Sequence, residues 1–133
     1  MRNPSLWEEL PRSNLVLIQL DVTSEESVQS AVRTIEQTEN RAIEILVNNA
    51  GYGVAGYLET VHIHEAQSLF DVNVFGPVRV VQAVLPGMRK SRQGYIINLS
   101  STSGIRGIPC FEFYTGDLLL KLLSFCHEEE PHL

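Results

Sequence analysis

The sequence has few cysteines and fewer basic than acidic residues, and these shortages exclude several classes of protein. Cys110 and Cys126 are the only cysteines in 133 residues, and they form no CxxC pair and have no His cluster beside them. The spacing therefore indicates neither a zinc site nor a disulfide framework. Ten Lys and Arg stand against sixteen Asp and Glu, for a formal net charge of -6, which argues against a nucleic-acid-binding surface.

The sequence also lacks long apolar runs. None reaches the roughly 18 residues that a membrane-spanning helix needs, and the opening MRNPS lacks the apolar segment of a secretory signal. We therefore expect a cytoplasmic protein with reduced thiols and no membrane span. The length is enough for one domain and not two, and the 44% of hydrophobic residues allow a buried core.

Short apolar runs alternate with helical patterns along the chain. The three runs are residues 15–20 (LVLIQL), 43–47 (IEILV) and 95–99 (YIINL). Runs that are apolar almost throughout predict strands buried on both faces, as in a parallel sheet. With helical patterns between them, they predict an α/β fold in which right-handed crossovers connect parallel strands.

The first helical pattern has a clear start signal. Thr23 and Glu26 are spaced as a capping box, which predicts a helix with its N-cap at Thr23 and its end near residues 38–40. A last helical pattern covers residues 114–125.

The central helical pattern is longer and contains an interruption. Its apolar positions share one face from Ala66 to Leu85. The pair Gly76 and Pro77 falls inside it and predicts a kink. Asn73 lies on the apolar face, and a buried amide at that position needs hydrogen-bond partners.

Small and polar residues follow each predicted strand. Asp21 follows the first, residues 48–51 follow the second and residues 100–103 follow the third. Ligands of open α/β sheets bind beyond the carboxyl ends of the strands. The sequence therefore predicts a site at this edge of the sheet.

Residues 51–56 (GYGVAG) spell the motif GxGxxG after a predicted strand, and Asp71 lies 20 residues after Gly51. In a dinucleotide fingerprint the acidic residue ends the next strand, whereas Asp71 lies inside a helical pattern and no helix clearly opens at Gly56. We interpret the motif as a flexible turn. The alternative, a flavodoxin-like module, would retain a flavin that Gly53→Val removes.

Four motifs at ordered spacing point to one family. They are LDVT at 20–23, NNAG at 48–51, DVNVFG at 71–76 and NLSSTSG at 98–104, with Tyr114 thirteen residues after Ser101. As an ordered set they resemble the short-chain dehydrogenase/reductase family. The stretch GPVRVVQAVLP at 76–86 resembles the steroid- and retinol-dehydrogenase-like members.

This resemblance covers residues 1–115, and the tail at residues 116–133 diverges from the family. It implies an α/β fold, a partial Rossmann-type doubly wound parallel sheet with the central strands and helices only. We expect residues 1–133 to form a single incomplete NAD(P)-binding Rossmann-like domain. The implied activity is that of an NAD(P)-dependent oxidoreductase acting on an alcohol or carbonyl substrate.

The resemblance also implies which residues bind the cofactor. Asp21 would contact the adenine ring, with Val22 beside it. The residues that follow the second strand would line the cofactor cleft and steady the central strand. These are Asn48, Asn49, Ala50 and Gly51.

Family members use an Asn–Ser–Tyr–Lys tetrad, and Asn73, Ser101 and Tyr114 match its first three positions. The implied roles are acid/base for Tyr114 at the substrate oxygen, positioning of that oxygen for Ser101, and support of proton relay for Asn73. The lysine matters because a nearby ammonium lowers the high ordinary pKa of a phenol.

The sequence departs from the family in two places. No TGxxxGxG loop, which would hold the pyrophosphate, precedes Leu15. The position of the tetrad lysine is Leu118, and Lys121 is about 10 Å along the helix from Tyr114 at about 1.5 Å per residue.

These departures predict impaired activity. The alternative is a non-catalytic remnant, or a partner of a full-length relative, with possible self-association into a homo-oligomer. Arg2 matches a basic position that accompanies NADP preference, so NADP is the expected cofactor, with NAD possible.

Overall fold

The computed structural model describes residues 15–107, 109–111 and 113–117. The elements are α1 (Glu25–Glu39), β1 (Ile45–Asn48), α2 (Ile63–Phe70), a π-helical turn (Asp71–Phe75), α3 (Gly76–Ser91), β2 (Tyr95–Asn98) and a 3-10 turn (Thr102–Gly104). Residues 113–117 are also helical.

The sheet is parallel, as the alternation of strands and helices predicted. β1 and β2 pair in a register that sets Ile45 opposite Tyr95 and Asn48 opposite Asn98. The crossover between them contains α2, the π-helical turn and α3. Both strands therefore end at the same edge, where the Leu99 N–H donates to the Asn48 carbonyl at 2.9 Å.

The strand predicted at residues 15–20 is not formed, and within the described parts of the chain this run pairs with no strand. By the family resemblance it corresponds to the third strand of a doubly wound sheet. In the order 3-2-1-4-5-6 two strands separate the third from the fourth. β1 takes the place of the fourth, so the run cannot reach it, and Val16 and Leu17 are mostly exposed.

The first helix begins one residue later than predicted. Ser24, not Thr23, is the N-cap, and its Oγ accepts a hydrogen bond from the Ser27 N–H at 3.2 Å. Thr23 instead belongs to the loop before the helix, where its hydroxyl and its N–H both donate to Asp21 Oδ1. The helix ends before Asn40 in the left-handed region, with φ 51°, at the predicted position.

The predicted kink takes the form of a wider turn. The π-helical turn Asp71–Phe75 lies directly before Gly76 and Pro77, and the Gly76 N–H donates to the carbonyl of Asp71, five residues back. Pro77 has no N–H to continue an α-helical ladder at this point. The irregularity thus falls where the sequence placed it, as a local π turn.

Among the described residues, the helical stretch Ile63–Ser91 contains an 18-residue window, with a mean hydropathy of 1.2, that by length and composition alone could cross a membrane. The sequence contains no uninterrupted apolar run of 18 residues, and the criterion is met by an 18-residue window within this stretch that still includes polar residues. The central core helix of a water-soluble domain passes the same test.

α1 and α3 pack side by side on one face of the sheet. Their buried side chains form the core cluster Val28, Val32, Val80, Val84 and Met88. Leu46 of β1 and Ile96 of β2 pack against this cluster from the sheet. Burying one such side chain contributes about 1.5–3 kcal/mol, so most of the packing energy of the described residues lies between these two helices and this face.

Candidate active site

Two asparagine side chains close the carboxyl ends of the strands. Asn48 is buried, and its Nδ2 donates to Asn98 Oδ1 at 2.6 Å across the sheet. The pair follows from the register, which sets these residues opposite each other. Asn48 therefore steadies the end of the sheet, while the next three positions of the predicted cleft, residues 49–51, are exposed on the following loop.

Asn73 is the most tightly held polar side chain at this edge, with only 1% of its surface exposed. Its Oδ1 accepts from the Tyr52 N–H at 3.0 Å, and its Nδ2 donates to the Tyr52 carbonyl at 2.8 Å. The Nδ2 also donates to Asp117 Oδ2. The expectation that this amide needs buried partners is confirmed, and the π-helical turn is what directs it toward the loop after β1.

Asp117 is a site residue that the sequence analysis missed. It is fully buried, and it approaches Asn73 from the last described helical segment. The available signal was its spacing, because residues three apart share a helix face and Asp117 follows Tyr114 by three. It also precedes Leu118, which lies outside the described residues.

Ser101 caps the 3-10 turn after β2. Its Oγ accepts from the Ser103 N–H at 3.3 Å, and its carbonyl accepts from the Gly104 N–H at 3.0 Å. The cap engages the oxygen of the hydroxyl as an acceptor. The hydroxyl proton therefore stays available for donation to another oxygen.

Tyr114 packs against the loop that follows β1. A Cβ built on Gly53 would lie 3.5 Å from the Tyr114 ring, so the backbone of Gly53 runs beside that ring. The ring of Phe111 tilts against it at 6.0 Å, and the Gly56 N–H donates to the Cys110 carbonyl at 2.8 Å. The segment that carries Tyr114 is thus attached to the same loop that Asn73 holds.

Asp21 and Val22 form the other end of the candidate site. Asp21 is exposed, and its Oδ1 accepts from the Thr23 hydroxyl at 2.7 Å and from the Thr23 N–H at 2.9 Å. These two hydrogen bonds, and more weakly the Arg79 guanidinium, hold the pKa of Asp21 below its ordinary value of 3.8. The side chain is therefore a charged acceptor at neutral pH. It lines a cavity of about 440 Å³ with Gln19 and Ser24.

The GxGxxG motif lacks the structure of a nucleotide fingerprint, in agreement with the preferred interpretation. Residues 51–55 are irregular, Gly56 lies at a bend, and no helix opens there. Asp71 pairs with Arg79, at 2.6 Å between Oδ1 and Nη2, and begins the π-helical turn instead of ending a strand. The structural context for a flavin-binding loop is missing at this position.

A cavity of about 730 Å³ is lined by residues of α2, by the π-helical turn and by Phe113. Ile63, Phe70, Phe75 and Phe113 contribute to its apolar lining. None of the three tetrad matches borders it. The candidate site is therefore assigned from the strand ends and not from the size of this cavity.

Other expected residues cannot be placed. Arg2 and Lys121, like Leu118, lie outside the described residues. Across residues 15–107, 109–111 and 113–117, no group of three or more His, Cys, Asp or Glu side chains could hold a metal ion.

A family profile described as short chain dehydrogenase matches residues 4–116. Retinol dehydrogenase 8 of Homo sapiens is 46% identical over 84% of this chain and 38% of its own length. The 17-beta-hydroxysteroid dehydrogenase type 1 of Homo sapiens is 38% identical over 82% of this chain and 34% of its own length. The chain thus spans little more than a third of these two relatives.

Solved structures resemble the fold as well. ElxO with NADP bound aligns with a TM-score of 0.77 at 29% identity, over 82% of this chain and 44% of that one. An NAD+-bound xylitol dehydrogenase aligns with a TM-score of 0.74 at 29% identity, over 79% of this chain and 40% of that one. The partial α/β fold described above is therefore part of a Rossmann-type domain.

Proposed function

Because this chain belongs to the short-chain dehydrogenase/reductase family and is similar to its steroid- and retinol-dehydrogenase-like members, we propose that it carries the central part of an NAD(P)-dependent oxidoreductase acting on an alcohol or carbonyl substrate. The observation that carries the proposal is the arrangement around Asn73. Its buried amide holds Tyr52 on one side and Asp117 on the other, and the ring of Tyr114 lies against the next residue of that loop, Gly53.

In the proposed reaction Tyr114 gives a proton to the substrate oxygen or takes one from it. Ser101 supports this step because its Oγ accepts from the Ser103 N–H and keeps its own proton to donate to the substrate oxygen. Asn73 acts through the backbone. It fixes Tyr52, and with it the loop that borders Tyr114, which keeps the acid/base group in one position.

The cofactor residues fit a nicotinamide dinucleotide in part. Asp21 offers a charged acceptor at one end, with Val22 beside it, and the exposed residues 49–51 leave a loop of small side chains open at the other. Asn48 supports the cleft from below through Asn98. When bound, the nicotinamide ring would accept or supply the hydride. We propose NADP as the cofactor, on Arg2 in the sequence, with NAD as the alternative.

The names of two relatives support a proposal for the substrate class. Retinol dehydrogenase 8 and 17-beta-hydroxysteroid dehydrogenase type 1 are named for bulky apolar alcohols. We propose a substrate of this kind, a retinoid or a steroid. We propose the cytoplasm, because the spacing of the two cysteines indicates no disulfide framework.

A second candidate is a non-catalytic chain that associates with a full-length relative. The observation that favours it is the absence of the family's lysine after Tyr114 and the presence of an acidic residue next to that position. The family places a lysine four residues after the tyrosine, whereas position 118 is Leu and Asp117 brings a buried carboxylate. A carboxylate cannot supply the positive charge that the lysine contributes to a phenolate. Activity of this chain is therefore expected to be low.

Two measurements separate these candidates. Titration of NADP(H) and NAD(H) by calorimetry should show binding to the chain, and Asp21→Ala should weaken it about tenfold through loss of a charged hydrogen-bond acceptor. Turnover of retinol and estradiol should fall about 10²- to 10⁴-fold in Tyr114→Phe, with binding unchanged. Binding without turnover favours the non-catalytic candidate, and absence of binding to both nucleotides refutes the proposed oxidoreductase function for this chain.

A further inference from the structure

Arg79 joins two segments that belong to different ends of the candidate site. Its side chain leaves α3 and is 28% exposed. Nη2 donates to Asp71 Oδ1 at 2.6 Å, and Nη1 donates at 3.3 Å both to the Asp71 carbonyl and to the Val22 carbonyl. One planar guanidinium thus bridges the loop before α1 and the first residue of the π-helical turn. A fork of this kind is specific to arginine.

The bridge lies at a point where the two segments are already in close contact. A Cβ built on Gly76 would lie 2.8 Å from Val22 Cγ2, a distance that a real side chain does not reach. Gly76 directly follows the π-helical turn and makes room for Val22. The loop is therefore held against the helix by packing at Gly76 and by hydrogen bonding at Arg79.

The π-helical turn connects this bridge to Asn73. Asp71 and Asn73 belong to the same five-residue turn. The Asp71 carbonyl that receives Arg79 also receives the Gly76 N–H that closes the turn. Arg79 therefore contacts the start of the same turn whose third residue, Asn73, is buried between Tyr52 and Asp117.

We propose that Arg79 is a positioning residue that couples the Asp21–Val22 loop to the Asn73 amide. The inference rests on the proposed function only where it concerns the cofactor. In structural terms, loss of the fork loosens both the loop before α1 and the hold of Asn73 on Tyr52. In functional terms, loss of Arg79 should affect both the Asp21–Val22 segment proposed to contact the adenine ring and the Asn73 side chain proposed to support proton relay.

Amide hydrogen exchange of the full chain tests the coupling without cofactor. Two protected amides report on the two ends. The Ser24 N–H donates to the Asp21 carbonyl at 3.1 Å, and the Tyr52 N–H donates to Asn73 Oδ1 at 3.0 Å. In Arg79→Met, which keeps an apolar stem and removes the fork, protection should fall about tenfold at both amides, consistent with loss of charged hydrogen bonds. The backbone amide of Val84 in the core serves as the reference for global unfolding.

The matched control is Arg89→Met, the same change at an exposed position in the last turn of α3. It should leave both amides unchanged. A loss of protection at only one of the two amides in Arg79→Met, or an equal loss in Arg89→Met, overturns the coupling. If Arg79→Met does not fold, Arg79→Lys decides. It keeps the charge without the fork and should lower both protections by a smaller factor, and an unchanged protection at either amide overturns the proposal.

A nucleotide titration separates this inference from the proposed function. If the wild-type chain binds NADP, Arg79→Met should weaken binding about tenfold while Arg89→Met does not. If the wild-type chain binds no nucleotide, the oxidoreductase proposal fails, and the exchange measurement alone still confirms or overturns the coupling.

Discussion

The two faces of the sheet differ in what covers them, although both carry large apolar residues. On one face Leu46 and Ile96 pack against the core cluster of α1 and α3. On the other face the alternate residues of the same strands are exposed, among them Ile45 at 59%, Val47 at 50% and Tyr95 at 73%. Successive strand residues point to opposite faces. Strands of this composition are suited to burial on both faces of the sheet. Within the described residues only one face is covered.

This difference shows where stability is located in the described residues. The covered face combines two helices, their capping residues and the core cluster. The bare face offers an apolar surface of the kind that mediates association. Substitutions on the two faces should therefore have unequal effects, even where the residue types are the same.

The largest expected difference comes from placing a carboxylate on each face in turn. Val84→Asp buries an unpaired charge in the core cluster and should destabilise the chain by at least about 3 kcal/mol. Val47→Asp, on the bare face, should cost at most about 1 kcal/mol. Urea unfolding followed by circular dichroism measures both. Similar midpoints for the two variants would show that the faces are equally buried in solution.

A milder test truncates one side chain on each face. Met88→Ala removes a core side chain and should cost about 2–5 kcal/mol. Ile97→Ala removes a partly exposed one and should cost about 1 kcal/mol or less. The same unfolding measurement applies. A cost for Ile97→Ala that matches that of Met88→Ala would contradict the comparison.

Association should depend on the bare face of the sheet. We predict that the chain self-associates, and that the double variant Ile45→Lys with Ile97→Lys raises the apparent dissociation constant at least about tenfold, since each isoleucine loses its apolar burial and gains a repelling charge. Ile105→Lys is the control, because Ile105 is exposed in the loop after β2 and away from the sheet. Light scattering over a range of concentrations measures the effect. A wild-type chain that stays monomeric would refute this prediction.

The capping of α1 supports the covered face by a smaller amount. Ser24→Ala removes the cap of the Ser27 N–H and should cost about 1 kcal/mol. Ser30→Ala, at an exposed position within α1, should change stability by less than about 0.5 kcal/mol. The sequence favoured Thr23 as the cap, so a larger loss of helix from Thr23→Ala than from Ser24→Ala would support the original assignment against the structure.

The smallest expected effect is a pH dependence at the loop before α1. The pKa of Asp21 is lowered in the folded chain by its hydrogen bonds from Thr23. Its contribution to stability is therefore complete above the ordinary value of 3.8 and is lost as pH falls through the lower folded pKa. Asp21→Asn should remove this dependence. Unfolding measured from about pH 6 to about pH 2.5 for both proteins tests the sign, and a loss of stability with rising pH would be the wrong direction.

The sequence predicted that the strands are parallel, because this prediction depends on local signals. The apolar runs at 43–47 and 95–99, the helical periodicity and the Gly76–Pro77 interruption are all read over a few residues, and the structure confirms the strands, the helices and the irregular turn that they indicated. Asn73 was also identified in advance, since an amide on an apolar face requires partners. Those partners come from Tyr52 and Asp117, which are distant in sequence, so the pattern predicted that they exist but not which residues they are.

The predictions that were wrong or incomplete concern features that local signals do not determine. Residues 15–20 have the composition of a strand, but a strand forms only beside another, and pairing is a property of the sheet. Thr23 has the spacing of a cap, but Asp21 competes for its hydroxyl. Asp117 gave no motif at all, because its role depends on reaching Asn73. Each error occurred where a long-range contact or a competing hydrogen bond outweighed the local signal.

The number of residues in the π-helical turn restricts insertions and deletions in this part of the chain. A π turn contains one more residue than an α turn, so it sets the rotational phase of α2 relative to α3. Deleting one residue between Asp71 and Phe75 would rotate one helix against the other by about 100°. Leu69 and Val84 are both fully buried, and after such a rotation they could not both face inward. Substitutions within the turn are therefore expected to be tolerated more often than insertions or deletions, and the length of the stretch Ile63–Ser91 should vary less than its composition.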